Sequence, residues 1–298
     1  MTSEIKEGFM PFKGYKTYYR IVEGKDGGKV PLLLLHGGPG STHNTLEVLD
    51  DIAAKTGRTL VYYDQIGCGL SSIPDDHPEL YSKETWCQEL EELRHYLNLT
   101  EIHLLGHSWG GMLAITYLSD CNPKGLKSVV LSSTLPSVSL WAREAHRLIK
   151  DTLPLEDQEA IAKAEQSQDW ADPAYQKANE LFVRKHIGGP WGPNDPACLT
   201  RPKTLGKKAY EVAWGPNEYN PLGNLSDWEY LEKMRKWNLP VLMTDGANDE
   251  STPYINQQMF NAVKGAEWHI FEFSRHMSYV EEHEEYVKVV TEFLAKND

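Results

Sequence analysis

The chain has 298 residues, 40% of them apolar and 24% charged, an ordinary globular composition with enough length for one large α/β domain or a core plus a smaller cap. Its formal net charge of −13 repels phosphate backbones and anionic lipids, and no Lys/Arg cluster overrides that field, so neither nucleic acid nor a membrane is an expected partner. The four cysteines form no CxxC pair, the N-terminal stretch has no apolar run of leader length, and no window approaches 18 consecutive apolar residues; no disulfide scaffold or membrane span is expected, and the expected location is the cytoplasm.

Residues 9–35 read as strands broken by a "GKDGGK" turn and ending in the buried-strand run "VPLLLLHG". "RTLVYYD" (58–64) is a second apolar run. "SKETWCQELEELRHYL" (82–97) has helical spacing, with Ser82 as a candidate N-cap. "EIHLLGHS" (101–108) reads as a strand, "GGMLAITYLSD" (110–120) as the helix leaving it, and "LKSVVLSST" (126–134) as a further strand. Strands alternating with helices across short turns predict an α/β fold, with a mostly parallel sheet covered by helices on both faces.

That alternation stops at residue 136. From there to about 235 the chain holds helical stretches and Pro/Gly/Trp-rich loops, with no apolar strand run. It resumes at "LPVLMTDGAND" (239–249), continues through "EWHIFEF" (267–273) and ends in an amphipathic helix, "EEHEEYVKVVTEFLAKN". The expected organisation is a core domain of residues 1–135 and 236–298 with an inserted helical cap of residues 136–235. Two sequon matches, at Asn98 and Asn224, are read as chance.

Ser108 stands in G-H-S-W-G, between a predicted strand and a predicted helix. Small residues two before and two after permit the sharp turn that lifts a serine hydroxyl out of a sheet, and the helix N-terminus favours developing negative charge. A nucleophilic serine needs a general base and an acid to orient it, in the chain order Ser, acid, His. His276 lies in a loop directly after the strand "EWHIFEF"; His269 lies inside that strand and His283 on the acidic terminal helix, where a packed and a solvated role suffice. Asp249, in the loop after "PVLMTDGAN", competes with Asp245 for the acid role. The loop position favours Asp249, with Asp245 read as a turn residue serving backbone donors. His107 is read as a packing residue.

"HGGPG" (36–40) follows the strand "PLLLL". The Gly38 and Trp109 amides are the expected oxyanion donors. No P-loop pattern or metal-ligand spacing is present, and neither a cofactor nor a metal is expected.

With these residues in view, the chain resembles the proline iminopeptidase (prolyl aminopeptidase) family of α/β-hydrolases, serine peptidase type. The resemblance runs nearly end to end and is carried by "HGGPG", "YYDQIGCGLSS", "GHSWGGMLA", "WGPNEY", "GANDESTP" and "SRHMSYVEEHEEY". It implies the α/β-hydrolase fold, with Ser108 as nucleophile, Asp249 as acid, His276 as base and Gly38 and Trp109 as oxyanion donors. Glu218 and Glu250 match glutamates that hold a substrate's free amino terminus. Two carboxylates suit a terminal prolyl ammonium, which has two N–H donors. The expected substrates are therefore short peptides or aminoacyl amides with a free N-terminus. An amidase or esterase with the same triad is the alternative, and a non-catalytic binding protein a more distant one. Ile66 and Leu70 stand where many members carry Arg. Trp191, Trp214 and Tyr219 are candidates for the wall of an apolar pocket.

Overall fold

The computed structural model describes residues 4–26 and 28–298. Residues 1–3, part of the N-terminal stretch searched for a leader, and Gly27 of the "GKDGGK" turn lie outside the described residues. The strands are β1 (Ile5–Phe12), β2 (Tyr15–Val22), β3 (Leu32–Leu35), β4 (Leu60–Tyr63), β5 (Ile102–His107), β6 (Leu126–Ser132), β7 (Val241–Gly246) and β8 (Glu267–Phe271). The helices are α1 (Asp51–Thr56), α2 (Lys83–Tyr96), α3 (Trp109–Thr116), α4 (Val138–Thr152), α5 (Leu155–Ser167), α6 (Pro173–His186), α7 (Ala197–Thr200), α8 (Lys207–Ala213), α9 (Leu231–Met234), α10 (Pro253–Ala262), α11 (Ser278–Glu281) and α12 (His283–Lys296).

The strands form one sheet in the order β1-β2-β4-β3-β5-β6-β7-β8. β2 pairs antiparallel with β1 and β4, and the pairings from β4 through β8 are all parallel. β3, β4, β5 and β7 are buried at every position, which is why they read as unbroken apolar runs rather than alternating ones. Alternate residues serve opposite layers. Leu33, Leu35, Val61 and Leu104 pack with Leu90, Leu93, Leu113 and Ile115 of α2 and α3. Leu32, Leu34, Leu60 and Leu105 pack with Ile52 of α1 and Tyr286, Val290 and Leu294 of α12. Ser82 caps α2, its hydroxyl accepting from the Thr85 amide at 3.3 Å.

Four helical segments have no counterpart in the sequence reading, one of them the single 3-10 turn Pro78–Leu80. A 3-10 turn over His43–Asp50 runs into α1, and α10 crosses between β7 and β8, with Thr252 as its N-cap and Pro253 in its first turn. The terminal helix is broken at Glu282 into α11 and α12.

Between β6 and β7 lie α4 to α9, with one isolated bridge between Ser137 and Glu229. Ala145, Leu148, Ile161, Phe182 and Tyr219 form a cluster of their own. Trp141, Trp214, Trp228 and Met234 instead join the core beside α2 and α3, so this segment is rooted in the sheet layer. Among the described residues, no helix is long and apolar enough to cross a membrane.

This topology decides what meets at the carboxyl ends of the strands, where open α/β sheets bind ligands. β3 and β5 are direct neighbours, with Leu35 opposite Gly106, so the loop beginning at His36 arrives beside the turn at Ser108. β7 and β8 are also neighbours, so the loops carrying Asp249 and His276 arrive together.

Candidate active site

Ser108 caps α3 with φ 56° and ψ −123°, a conformation rarely adopted by a residue with a Cβ. The turn closes because its flanking glycines are bare. A Cβ on Gly106 would lie 2.2 Å from the Gly110 carbonyl oxygen, and one on Gly110 would lie 2.2 Å from that of Leu35. The Ser108 amide donates to Ser132 O at 2.9 Å, and the Thr134 hydroxyl donates to Ser108 O at 2.7 Å. Both peptide groups of the strained residue are thus bound by the strand end next door.

His276 and Asp249 are brought together as expected. His276 Nδ1–H donates to Asp249 Oδ1 at 2.7 Å, and both residues are buried. The same oxygen accepts the Ser251 amide at 2.7 Å. Among the described residues, Ser108 Oγ makes no hydrogen bond to His276 Nε2, which lies 3.7 Å from Glu250 Oε1; nucleophile–base contacts are commonly open without substrate.

Two histidines hold His276 in place. His107, next to Ser108, donates from Nε2 to the His276 carbonyl at 3.0 Å, and the two rings lie 4.8 Å apart. Burial, with His276 nearby, lowers His107 to about 3, so it stays a neutral donor. His186, at the end of α6, offers its carbonyl to the amides of both His276 and Glu250, at 3.2 Å each. The sequence reading missed His186, and no local pattern marks it.

Asp245 is not a turn residue serving backbone donors. It is fully buried on β7, where its Oδ1 accepts the indole N–H of Trp268 at 2.5 Å and its Oδ2 has no partner. Burial, and secondarily the charge of Asp249, pushes it up to about 8. His269 pairs with Glu285 at 3.1 Å, away from Asp249. His283 is half-buried rather than solvated, with Asp51 Oδ2 3.0 Å from its Nε2.

Gly38 and Trp109 belong to separate segments joined by Gln65. The Gln65 amide side chain donates to His36 O at 3.2 Å and accepts the Trp109 indole N–H at 2.7 Å, while its backbone N–H donates to His36 Nε2 at 3.0 Å. Among the described residues, neither the Gly38 nor the Trp109 backbone amide has an acceptor. Beneath Gln65, the buried Glu89 carboxyl receives the Ile66 amide at 3.0 Å and the Thr17 hydroxyl, and burial raises it to about 8. Ile66 is buried and Leu70 exposed.

Glu218 and Glu250 also converge. Glu250 is buried, its Oε2 is unpartnered, and its carboxyl is raised well above the ordinary range by burial, then by Glu218 and Asp249. Glu218 is raised by burial, against a Tyr210 hydroxyl bond and the His276 charge. The Glu218 carbonyl accepts the indole N–H of Trp141 at 2.7 Å and of Trp214 at 3.3 Å. A buried acid and a part-buried one that lines the cavity, without a cationic side chain beside a histidine, form a site that lacks a positive charge.

A cavity of about 700 Å³ opens between the 38–41 loop and residues 205–222, and Glu218 lines it. Its aromatic wall is Trp170 and Tyr210. Trp191, Trp214 and Tyr219 do not line it. Trp214 is buried under Glu218, Tyr219 in the α4–α6 cluster, and Trp191 packs against the α12 side of the core. Among the described residues, no group of three or more His, Cys, Asp or Glu is arranged to hold a metal ion.

The α/β hydrolase fold family matches residues 30–283. The proline iminopeptidase of Lactobacillus helveticus (strain DPC 4571) is 54% identical, over 99% of this chain and 99% of its own. That of Clostridium botulinum (strain Hall) is 49% identical, over 99% of this chain and 100% of its own. The crystal structure of a proline iminopeptidase from Mycobacterium smegmatis is similar with a TM-score of 0.87, at 28% identity over 98% of each chain. That of VinJ has a TM-score of 0.90, at 29% identity over 98% of this chain and 99% of its own.

Gln65→Ala removes both tethers between the 36–40 loop and Trp109. Turnover of a prolyl arylamide is expected to fall about 10- to 100-fold with KM changed less than about threefold, as for a loss confined to the transition state. Steady-state kinetics check this split.

Asp245 titrates higher folded than unfolded, so the folded chain holds the extra proton. Stability from this group therefore falls as pH rises from about 4 to about 8. Asp245→Asn should flatten that part of the Tm–pH curve and leave turnover within a few fold, as thermal melts across the range will show.

Proposed function

The chain belongs to the proline iminopeptidase family of α/β hydrolases, and from that premise we propose that Ser108, His276 and Asp249 are its catalytic triad, in a prolyl aminopeptidase that works through an acyl-enzyme. Ser108 Oγ attacks the carbonyl carbon of the N-terminal residue while His276 Nε2 takes its proton. Asp249 holds the opposite ring nitrogen, fixing the tautomer and stabilising the imidazolium. The Gly38 and Trp109 amides receive the oxyanion, which forms at the N-terminus of α3. His276 returns the proton to the leaving amine, and water, activated by the same histidine, releases the free amino acid.

The observation that carries this reading is the carboxyl pair. Glu250 is buried 3.7 Å from the base with an oxygen unbonded, and Glu218 lies within its electrostatic reach. A terminal ammonium fills that vacancy and displaces the proton the pair holds. An acylated terminus supplies no charge and leaves the buried Glu250 and the part-buried Glu218 unpaired, which restricts the enzyme to free N-termini. Short peptides beginning with proline, or aminoacyl amides, are the substrates this arrangement fits. We assign residues 136–235 as the cap and the remainder as the core. The cap supplies Glu218 and the Trp170 and Tyr210 wall of the cavity.

Ser108→Ala should retain no more than a few percent of wild-type turnover with its fold intact, and His276→Ala should lose on the order of 10³- to 10⁶-fold. A sulfonyl fluoride should label Ser108 in the wild type. Circular dichroism of the variants and mass mapping of the labelled peptide check both.

The amine site is tested by prolyl, alanyl, leucyl and N-acetyl-prolyl arylamides. The prolyl member should lead and the N-acetyl member should fail. Glu218→Gln or Glu250→Gln should cost roughly 2–4 kcal/mol of transition-state binding, about 30- to 1000-fold in kcat/KM, on free amines. An uncharged ester of similar size should lose little. Wild-type kcat/KM should fall at low pH as the pair keeps its protons, and at high pH as the substrate amine loses its own near about 8. Equal cleavage of N-acetyl-prolyl and prolyl amides would put the amidase or esterase reading first.

A further inference from the structure

The Ser108 turn follows β5 and the Asp249 loop follows β7, with β6 between those strands in the sheet. One chain of hydrogen bonds spans the gap. The hydroxyl of Thr134, just past β6, donates to Ser108 O at 2.7 Å. The Thr134 carbonyl accepts the Ser251 hydroxyl at 2.5 Å. The Ser251 amide donates to Asp249 Oδ1 at 2.7 Å, the same oxygen that receives His276 Nδ1–H. Asn256 Nδ2, on α10, donates to both the carbonyl and the hydroxyl oxygen of Ser251 at 3.1 Å. Thr134, Asp249, Ser251 and Asn256 are all buried. None of Thr134, Ser251 and Asn256 takes part in the hydrolytic steps above.

We propose that Thr134 and Ser251 are positioning residues, a buried strap that fixes the Asp249–His276 pair relative to the Ser108 turn and thereby sets turnover. The proposal rests on the triad assigned above. The bond directions leave the strap one arrangement. Asn256 Nδ2 can only donate, so it takes a lone pair of Ser251 Oγ and leaves the hydroxyl proton for Thr134 O, which can only accept. Burial of every link keeps water from replacing a missing member.

The two ends of the strap do different work. Ser108 O already accepts the Gly111 amide at 2.8 Å and the Met112 amide at 3.2 Å, so it does not need the Thr134 hydroxyl to be satisfied. What that hydroxyl adds is a tie between the first turn of α3 and the acid loop. Thr134 is seated for it, because Gly111 has no side chain and a Cβ there would lie 2.5 Å from Thr134 Cβ. Among the described residues, Thr134 O has no donor other than Ser251, so loss of the Ser251 hydroxyl orphans a buried carbonyl.

The test compares wild type with Thr134→Val, Thr134→Ser, Ser251→Ala and the double variant Thr134→Val/Ser251→Ala. Each is assayed by kinetics on a prolyl arylamide, by the rate of sulfonyl fluoride labelling at Ser108 and by thermal melts. Thr134→Val keeps the shape and removes the hydroxyl. It is expected to lose about 10-fold in kcat and in labelling rate, with KM within about threefold and Tm nearly unchanged. Thr134→Ser restores the hydroxyl and should return both rates to within about threefold of wild type. Ser251→Ala should lose a similar factor in kcat and melt lower; if it folds poorly, the two Thr134 variants carry the test. The double variant should lose no more than the larger single loss, because either break opens the same strap. Wild-type turnover and labelling in Thr134→Val, no recovery in Thr134→Ser, or losses that multiply in the double variant would overturn the strap while leaving the triad standing. Failure of wild-type Ser108 to be labelled would remove the triad, and the strap with it.

Discussion

The tight contact at the Ser108 turn is the constraint on which the site depends. Two glycines without side chains let α3 start directly above the end of β5, with its first turn against the β3 carbonyls. Strain of this kind is of order 1–3 kcal/mol and persists only where surrounding structure fixes it. Here the fixing is extensive, because every residue of α3 is buried and the Ser108 peptide groups are bound by Ser132 and Thr134. One geometry sets three others: the hydroxyl stands clear of the sheet, the Trp109 amide is left without an intrahelical acceptor, and the 36–40 loop is brought alongside.

Around that turn, buried polar groups act as fixed donors and acceptors rather than as charges. His36 and His107 are both lowered by burial, so each keeps one N–H and one bare nitrogen. His36 spends them on Gly37 O and the Gln65 amide, and His107 donates to the backbone of the base. The raised carboxyls divide into two kinds. Glu89 is supplied with two kinds of donor and holds a loop, and Asp245 receives an indole N–H and lies inside the sheet. Glu250 accepts nothing on its Oε2 and faces a second acid and a histidine. The same burial that makes Glu89 a structural clamp leaves Glu250 with an unmatched oxygen, the one the proposed ammonium would fill, and the difference is whether the protein itself supplies the donors.

Much of this was legible in the sequence because it is encoded locally. Fully buried parallel strands show as apolar runs, Ser82 precedes a helical period, and small residues on either side of Ser108 are a steric requirement visible in the letters. That Asp249 and His276 would meet was legible from their position after strands that topology makes neighbours. What failed was whatever depends on distant contacts. α10 is short and mixed in composition, and its Thr252 cap with a following proline was the only available signal. The fate of Trp191, Trp214 and Tyr219 was set by which surface each met, and aromatic side chains are as often core as lining. Asp245 could not be told from a turn residue, because its partner, Trp268, comes from the next strand.

The hardest part to read was how the segment between β6 and β7 takes part in chemistry it does not perform. Its α6 ends with a carbonyl that accepts the amides of both His276 and Glu250. Its Trp141 and Trp214 indoles hold the carbonyl of Glu218. Glu218 thus stands at a fixed remove from Glu250, and Glu250 at a fixed remove from the base. The spacing between the Glu218–Glu250 pair and Ser108 is therefore a property of how this segment is rooted in the α2–α3 layer. On the proposed assignment, a substrate whose ammonium and carbonyl match that spacing would be aligned for attack when it binds, which converts binding into orientation. Specificity for the chain terminus and catalytic alignment would then share one geometric origin, the backbone carbonyls of His186 and Glu218, which no residue-by-residue reading of the sequence marks out.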